Sequence, residues 1–127
     1  MIVRLLFIIF SCLLVISVLM YVGTMDTYKQ SIEDMVISDV DLSQVEDGTY
    51  TGAMKTFLVS ADVQVTVKNH EIIDIELDHQ HSRGHGAQLI PGRVLESQSL
   101  DVNVITGATY SSKIILKAIE YALTGEN

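Results

Sequence analysis

Residues 61–77 read ADVQVTVKNHEIIDIEL, and this stretch decides the fold. Apolar and polar residues alternate on both sides of the polar pair Asn69-His70. A period of two is typical of a strand with one buried and one solvated face, and a tight polar connection joins two such strands. The stretch therefore predicts an antiparallel β-hairpin. The residues predicted on its buried face are Val63, Val65, Val67, Ile73, Ile75 and Leu77.

Helical patterns follow the hairpin. Residues 87–98 have helical spacing around Pro91, so a helix either begins near Ile90 or is kinked there. Residues 112–123 give the clearest pattern. Their predicted core stripe is Ile115, Ala118, Ile119 and Ala122, and their predicted solvated face is Lys113, Lys117 and Glu120. With a short strand at residues 49–51 before the hairpin, this order predicts a small α+β domain of antiparallel strands and two or three helices.

The first 23 residues are of a different kind. Residues 5–22 carry no charge and, with Ile2 and Val3, form a helix that spans about 30 Å of hydrocarbon. We therefore predict a transmembrane anchor over residues 1–23. Arg4 places the N-terminus in the cytoplasm and the remainder outside the cell membrane. A cleaved signal peptide is the alternative, but residues 20–23 make a poor cleavage site.

The remainder of the chain is strongly acidic. All sixteen Asp and Glu residues lie after Gly23, against seven Lys and Arg, which gives that part a net charge of −9. Such a surface is a poor match for nucleic acid. The single cysteine excludes an internal disulfide and a cysteine-only zinc site. Cys12 weakly resembles a lipidation site, but the chain stays apolar after it, which favours a thiol within the membrane helix.

Residues 24–46 are predicted to connect the anchor to the domain, which we place at residues 47–127. Residues 24–37 keep a helical spacing of apolar side chains and predict an amphipathic stalk. Residues 38–48 are acidic and turn-rich, which is typical of a solvated linker. The acids Asp39, Asp41, Glu46 and Asp47 lack the spacing and the glycine of a calcium loop.

Three histidines lie in a polar loop after the hairpin. His79, His81 and His85 are separated by two and four residues, a spacing that a metal site tolerates. Flexible glycines and the lack of a second ligand cluster argue against a metal. Contact of a histidine or Arg83 with a bound ligand, and a merely solvated loop, stay open as alternatives.

The segment between the last two helical patterns, residues 99–112, reads SLDVNVITGATYSS. Gly107 and Ala108 leave the backbone uncovered, and hydroxyl residues surround them directly before a helix. The start of a helix presents unpaired N–H groups and the positive end of the helix dipole, so this combination suits a phosphate-sized anion. The alternative is that Ser111 or Ser112 merely caps the helix, and the local chemistry leaves both open.

The same segment carries a resemblance to a known family. Residues 106–113, TGATYSSK, closely resemble the (Ser/Thr)-Gly-Ala-Thr-x-(Ser/Thr)-Ser signature of the FMN-binding domain family. That family includes subunits of the sodium-pumping NADH:quinone oxidoreductase and of the Rnf complex, and many short membrane-anchored bacterial proteins. Other segments resemble the family in the same order, so the resemblance covers about residues 47–123. These segments are residues 47–52, 63–77, 79–87 and 99–102.

The resemblance implies covalent FMN. A flavin transferase of the family uses FAD and magnesium to place FMN on the final threonine of the signature, which here is Thr109, through a phosphoester. The other implied cofactor-binding residues are Asn103, Thr106, Gly107, Ala108, Tyr110, Ser111 and Ser112. Asn103 stands where the family usually has Asp, which keeps the shape but removes the charge. Lys113 lies close enough in sequence to help neutralise the phosphate, and Leu89 and Ile90 are candidates to pack near the ring.

The function implied is that of a single-pass membrane protein whose exterior FMN domain carries electrons. The implied donor is a quinone- or NADH-linked membrane system, and the implied acceptor lies outside the cytoplasm. No general base or nucleophile is evident apart from Thr109 as the modified residue, so we predict a carrier rather than a free-standing enzyme. Two alternatives stay open: an assembly module of a membrane complex without covalent flavin, and a metal-binding histidine loop.

Overall fold

The computed structural model describes residues 1–80 and 85–126. Its helices are α1 (Ile2–Glu33), α2 (Ile90–Ser97) and α3 (Thr109–Thr124), and its strands are β1 (Gly48–Lys55), β2 (Ser60–Lys68) and β3 (Glu71–Gln80). Short 3-10 helices lie at Leu42–Gln44 and His85–Leu89. The chain divides into two compact units, Met1–Asp34 and Met35–Asn127. The second unit combines an antiparallel sheet with two α-helices, which confirms the predicted α+β class.

The first unit is the single helix α1. In the described part of the chain it is the one helix long and apolar enough to cross a membrane, and a signal sequence would pass the same test. The stalk predicted over residues 24–37 is helical only as far as Glu33, as a continuation of the same helix.

The sheet has the strand order β1-β2-β3, with antiparallel pairing throughout. The predicted hairpin is β2 and β3. Asn69 and His70 both have positive φ, 53° and 62°, as the two central residues of a type I′ turn require. β1 is longer than the three residues predicted for it, because its pairing with β2 runs without interruption from Gly48 to Lys55.

The prediction that Ile73 shares the buried face of the hairpin was wrong. Thr66 pairs with Asp74, whereas Val67 pairs with Ile72, so Ile73 is the extra residue of a β-bulge. A one-residue shift moves side chains to the opposite face. As a result Ile72 is buried at 3% exposure and Ile73 is 52% exposed.

The long helix α3 lies over β1 and β2, and α2 packs against β3. The predicted core stripe of α3 is buried, with Ile114, Leu116 and Leu123 in addition. Its predicted solvated face was wrong. Glu120 is only 5% exposed and forms an ion pair of 2.9 Å with Lys117, and the Lys113 ammonium donates to the Met35 carbonyl at 3.3 Å. α3 is therefore buried on nearly all sides.

The other predicted helix is α2, and it begins at Ile90. Pro91 occupies its first turn, where the missing N–H has no helical acceptor to lose. Residues 87–89, predicted as part of the same helix, lie instead in the 3-10 helix His85–Leu89.

The segment that precedes β1, residues 35–47, is held against the rest of the second unit. The Lys117 ammonium donates to the Val36 carbonyl at 3.1 Å, and the Ser38 N–H donates to Glu120 at 3.3 Å. Acids of this segment accept backbone N–H groups: Asp39 that of Leu100, Asp41 that of Ser43 and Asp47 that of Asn69. The compact unit consequently starts at Met35, whereas the sequence places the start of the domain at residue 47.

Asp39 makes this attachment dependent on pH. Burial raises the pKa of Asp39, but hydrogen bonds from the Leu100 N–H, the Ser99 hydroxyl and the Val40 N–H together outweigh burial and hold the pKa below its ordinary value. A lowered pKa in the folded state stabilises the fold above the pKa of the unfolded chain, and this contribution is lost as pH falls through the folded pKa.

We therefore expect Asp39→Ala to lower the thermal unfolding temperature at pH 7. The difference from the wild type should shrink as pH falls below about 4, where the unfolded carboxyl begins to protonate. The measurement is thermal unfolding of the detergent-solubilised chain from pH 7 to pH 3. Asp74→Ala, which removes an exposed acid of β3, controls for net charge. A difference that stays constant over this range would contradict the assignment.

Candidate functional site

The loop between α2 and α3 makes a sharp turn directly before α3. The Ala108 N–H donates to the Ile105 carbonyl at 2.9 Å, and Thr106 and Gly107 form the turn between them. Gly107 has a φ of +80°, a left-handed conformation that strains any residue with a Cβ. The glycine of the signature is therefore required by the backbone.

The hydroxyl of Ser112 ties this turn to the helix. Ser112 is fully buried, its Oγ donates to the Ala108 carbonyl at 2.7 Å, and it accepts the Ile105 N–H at 3.1 Å. One hydroxyl thus bridges both ends of the turn. The alternative that Ser111 or Ser112 merely caps α3 was wrong, because they are the third and fourth residues of the helix and the N-cap is Ala108.

The start of α3 is left without a side-chain cap. Ala108 offers no side-chain acceptor, and the first N–H groups of a helix have none within the helix itself. Before the helix, Gly107 is exposed, whereas Ala108 is buried. The positive end of the helix dipole lies beside these two small residues, a combination that suits an oxyanion.

Thr109 is the first residue of α3. Its side chain is half-buried, and in residues 1–80 and 85–126 no group forms a hydrogen bond with its hydroxyl. The predicted site residues 106–112 lie in this turn and in the first residues of α3. Thr106 and Gly107 are exposed, Tyr110 is half-buried, and Ala108, Ser111 and Ser112 are buried.

Asn103 lies beside the turn in a shallow cleft. Its side chain is exposed, and its backbone carbonyl accepts a hydrogen bond of 2.7 Å from Arg93 Nη1. The cleft has a volume of about 450 Å³ and is lined by Arg93, Glu96, Ser97, Asp101, Val102 and Asn103. Arg93 was not selected from the sequence. The sequence signal that could have identified Arg93 is its positive charge in the helix before the signature, within a part of the chain whose charges are mostly acidic.

The remaining candidates are dispersed. Ile90 is fully buried, and Leu89 is 61% exposed. The Lys113 ammonium donates a hydrogen bond to the Met35 carbonyl. The role of Lys113 beside a phosphate therefore stays a prediction. A Cβ at Gly86 would meet Ile105 at 3.1 Å, so the 3-10 helix lies against the signature loop.

The histidine loop is described only in part. His79 lies half-buried near the end of β3, and His85 is exposed at the start of the 3-10 helix. His81 and Arg83 lie outside the described residues. Within the described residues, no group of three His, Cys, Asp or Glu side chains is arranged to hold a metal ion.

Comparison with known proteins assigns the family. A family model described as the FMN-binding domain matches residues 60–124, from the start of β2 to the end of α3. The chain belongs to the FMN-binding domain family. The matched residues include the whole turn at the start of α3. No curated protein matches the chain.

As a member of the FMN-binding domain family, the chain should depend on Ser112 for the shape of its signature turn. Ser112→Ala would leave the half-buried Ile105 N–H without its acceptor, at a cost of about 1 kcal/mol. We expect a lower unfolding temperature and reduced FMN binding. Thr124→Ala, which removes an exposed hydroxyl from the last residue of α3, is the control. Wild-type stability and FMN affinity in Ser112→Ala would contradict this role.

Proposed function

We propose that this protein is a membrane-anchored, extracytoplasmic electron carrier with FMN attached to Thr109 by a phosphoester. The observation that carries the proposal is the position of Thr109, at the uncapped start of α3 within the signature of its family. The apolar helix α1 supports membrane anchorage, and the position of Arg4 supports an exterior domain.

The turn fits the phosphate end of such a cofactor. A phosphodiester carries about one negative charge, and the dipole and open N–H groups of a helix start stabilise that charge. Gly107 is exposed and has open space where a Cβ would lie, which leaves room for phosphate oxygens. The Ser112 hydroxyl fixes the turn through its two hydrogen bonds. When bound, FMN supplies one- or two-electron transfer, and the protein supplies its position.

Attachment would transfer FMN from FAD and requires no redox change. The Thr109 Oγ1 forms a bond to the phosphorus of the FMN half of FAD. The pyrophosphate P–O bond to the adenylate half breaks, AMP leaves, and the hydroxyl proton is released. We propose that a flavin transferase with magnesium performs this step. The half-exposed position of Thr109 in the turn supports access by such an enzyme.

The proposed electron path runs from a quinone- or NADH-linked membrane donor to an extracytoplasmic acceptor.

To test the attachment, the placement and the electron path, the full chain is produced in a bacterial host with and without a flavin transferase. A reporter enzyme fused after Asn127 checks the side of the membrane. We expect a fluorescent flavin band in a denaturing gel only with the transferase, and reporter activity only outside the cytoplasm. Membranes that contain quinol and NADH dehydrogenases are then supplied with quinol or NADH. If neither compound reduces the bound flavin, the carrier role is contradicted.

Asn103 favours a second candidate function, a noncovalent binding or assembly module. Its amide lacks the charge that the family usually has at this position. Noncovalent FMN titration of unmodified chain separates the two forms of this candidate, a loosely bound flavoprotein and a module without flavin.

The same position gives a prediction for the carrier. Asn103→Asp should raise the modified fraction several-fold at limiting transferase, because it restores the carboxylate of the family signature. The Arg93 bond to the backbone carbonyl is independent of this exchange. Intact mass spectrometry at timed intervals gives the fraction, with Asn103→Ala as the control. An unchanged or lower fraction in Asn103→Asp would show that the carboxylate is not required here.

A further inference from the structure

The segment that leads from α2 into the signature turn is held by few bonds, because it is neither helix nor strand. At its far end, the Ser112 hydroxyl accepts the Ile105 N–H. In the described part of the chain, Asn103 and Val104 take part in a single hydrogen bond, which the Asn103 carbonyl accepts from Arg93 Nη1 at 2.7 Å. The position of Asn103 therefore depends on Arg93.

Arg93 is itself carried by a well-fixed helix. It is the fourth residue of α2, and the neighbouring Ile90 and Val94 are fully buried in the core. At the end of the same helix, the Gln98 side chain bonds both backbone groups of Ile72 in β3. Its Oε1 accepts the N–H at 2.7 Å, and its Nε2 donates to the C=O at 2.9 Å. The Arg93 guanidinium thus reaches the loop from an element that is attached to the sheet.

The guanidinium bonds the loop although two acids lie beside it. Glu96 and Asp101 line the same cleft as Arg93, but among the residues that the structure describes neither forms an ion pair with it. Arg93 is exposed, so an ion pair here would add little stability, whereas a charged donor strengthens the bond to a carbonyl. The contact that Arg93 does make acts on the path of the loop.

We propose that Arg93 is a positioning residue for the modification of Thr109 and acts through the Asn103 backbone. The inference rests on the proposed function, in which the Thr109 Oγ1 displaces AMP from FAD and releases its proton. The hydroxyl must lie close to the phosphorus and in line with the bond that breaks, and a misplacement of about 1 Å can lower such a rate about a hundredfold. Ile105 links Asn103 to the turn, since its carbonyl accepts the Ala108 N–H directly before Thr109.

The kinetics of modification test this role. The full chain in detergent is incubated with a flavin transferase, FAD and magnesium, and timed intact mass spectrometry gives the rate at several chain concentrations. We expect Arg93→Ala to lower kcat about ten- to a hundredfold, with KM and the unfolding temperature unchanged. Arg93→Lys should restore part of kcat, because it keeps a charged donor. Lys68→Ala, which removes an exposed positive charge from β2, controls for net charge.

The outcomes separate this inference from the proposed function. An unmodified wild type would overturn the proposed function itself. A modified wild type and an equal kcat in Arg93→Ala would overturn the inference alone. A raised KM at wild-type kcat would also overturn it, since Arg93 would then serve contact with the transferase. A lower unfolding temperature without rescue by Arg93→Lys would show a merely structural role and overturn it as well.

Hydrogen exchange of the unmodified chain tests the contact without flavin or transferase. Backbone N–H groups exchange when their segment opens, and a segment that has lost a contact opens more often. The Ile105 and Ala108 N–H groups are both hydrogen-bonded in the wild type. We expect both to exchange several-fold faster in Arg93→Ala and at the wild-type rate in Lys68→Ala. Equal exchange in Arg93→Ala and the wild type would overturn the proposal.

Discussion

Gly52→Ala should strongly destabilise the second unit. Gly52 lies on the inner face of β1, directly under the backbone of α3. A Cβ there would overlap the Ala118 carbonyl oxygen and lie 2.5 Å from the Ala122 nitrogen and 2.9 Å from the Ala122 Cβ. These are mostly backbone atoms, so α3 would have to move away from the sheet as a whole.

The cost of this overpacking should reach about 3 kcal/mol, the upper part of the usual range. For a domain of this size, that lowers the unfolding temperature by about 10–20 °C. Gly48→Ala is the matched control on the same strand, because the nearest atoms to its Cβ would be those of the Tyr50 side chain at 3.7 Å, an ordinary contact distance. Thermal unfolding of the solubilised chain gives the comparison. Equal unfolding temperatures for the two variants would contradict the close approach of α3 to β1.

Thr109→Ala should abolish covalent flavin completely. The substitution removes the one hydroxyl that the proposal modifies, and alanine keeps or improves the helix propensity at this position. The fold should therefore be unchanged. In-gel flavin fluorescence after production with the transferase measures the loss.

Thr124→Ala is the control for Thr109→Ala. It removes an exposed hydroxyl from the other end of α3 and should retain the fluorescent band. Thr109→Ser should retain at least part of it, since it keeps a hydroxyl at the same atom position. A fluorescent band in Thr109→Ala would show that another residue carries the flavin.

The hairpin could be predicted from the sequence because its information is local. Alternation around Asn69-His70 specifies both the strands and the turn. The bulge could not be predicted in the same way. Ile72 and Ile73 are both apolar, and only the register against Thr66 and Val67 decides which of them is buried.

Which faces of α3 are buried could not be predicted from local sequence either. Lys117 and Glu120 have the spacing of a solvated helix face, but residues more than eighty positions earlier cover them. The start of α3 at Thr109 was also missed, since Thr109, Ser111 and Ser112 are weak helix formers and the sequence pattern begins only at residue 112.

In the candidate site, too, local features could be predicted from the sequence and contacts between distant residues could not. The signature residues 106–112 could be predicted to lie together, because they are consecutive in the sequence. Arg93 could not, because its bond to the Asn103 carbonyl depends on how α2 packs beside the loop. The bridging role of Ser112 could not be predicted either, because it depends on the path of the backbone from Ile105 to Ala108.

The intact mass of the full chain, produced with and without a flavin transferase, tests the central proposal most directly. We predict that the transferase adds the mass of one FMN less one water, and that peptide fragmentation places this mass on Thr109. The chain produced without the transferase should keep its unmodified mass. An unmodified chain under both conditions, or an added mass on any other residue, would contradict the account.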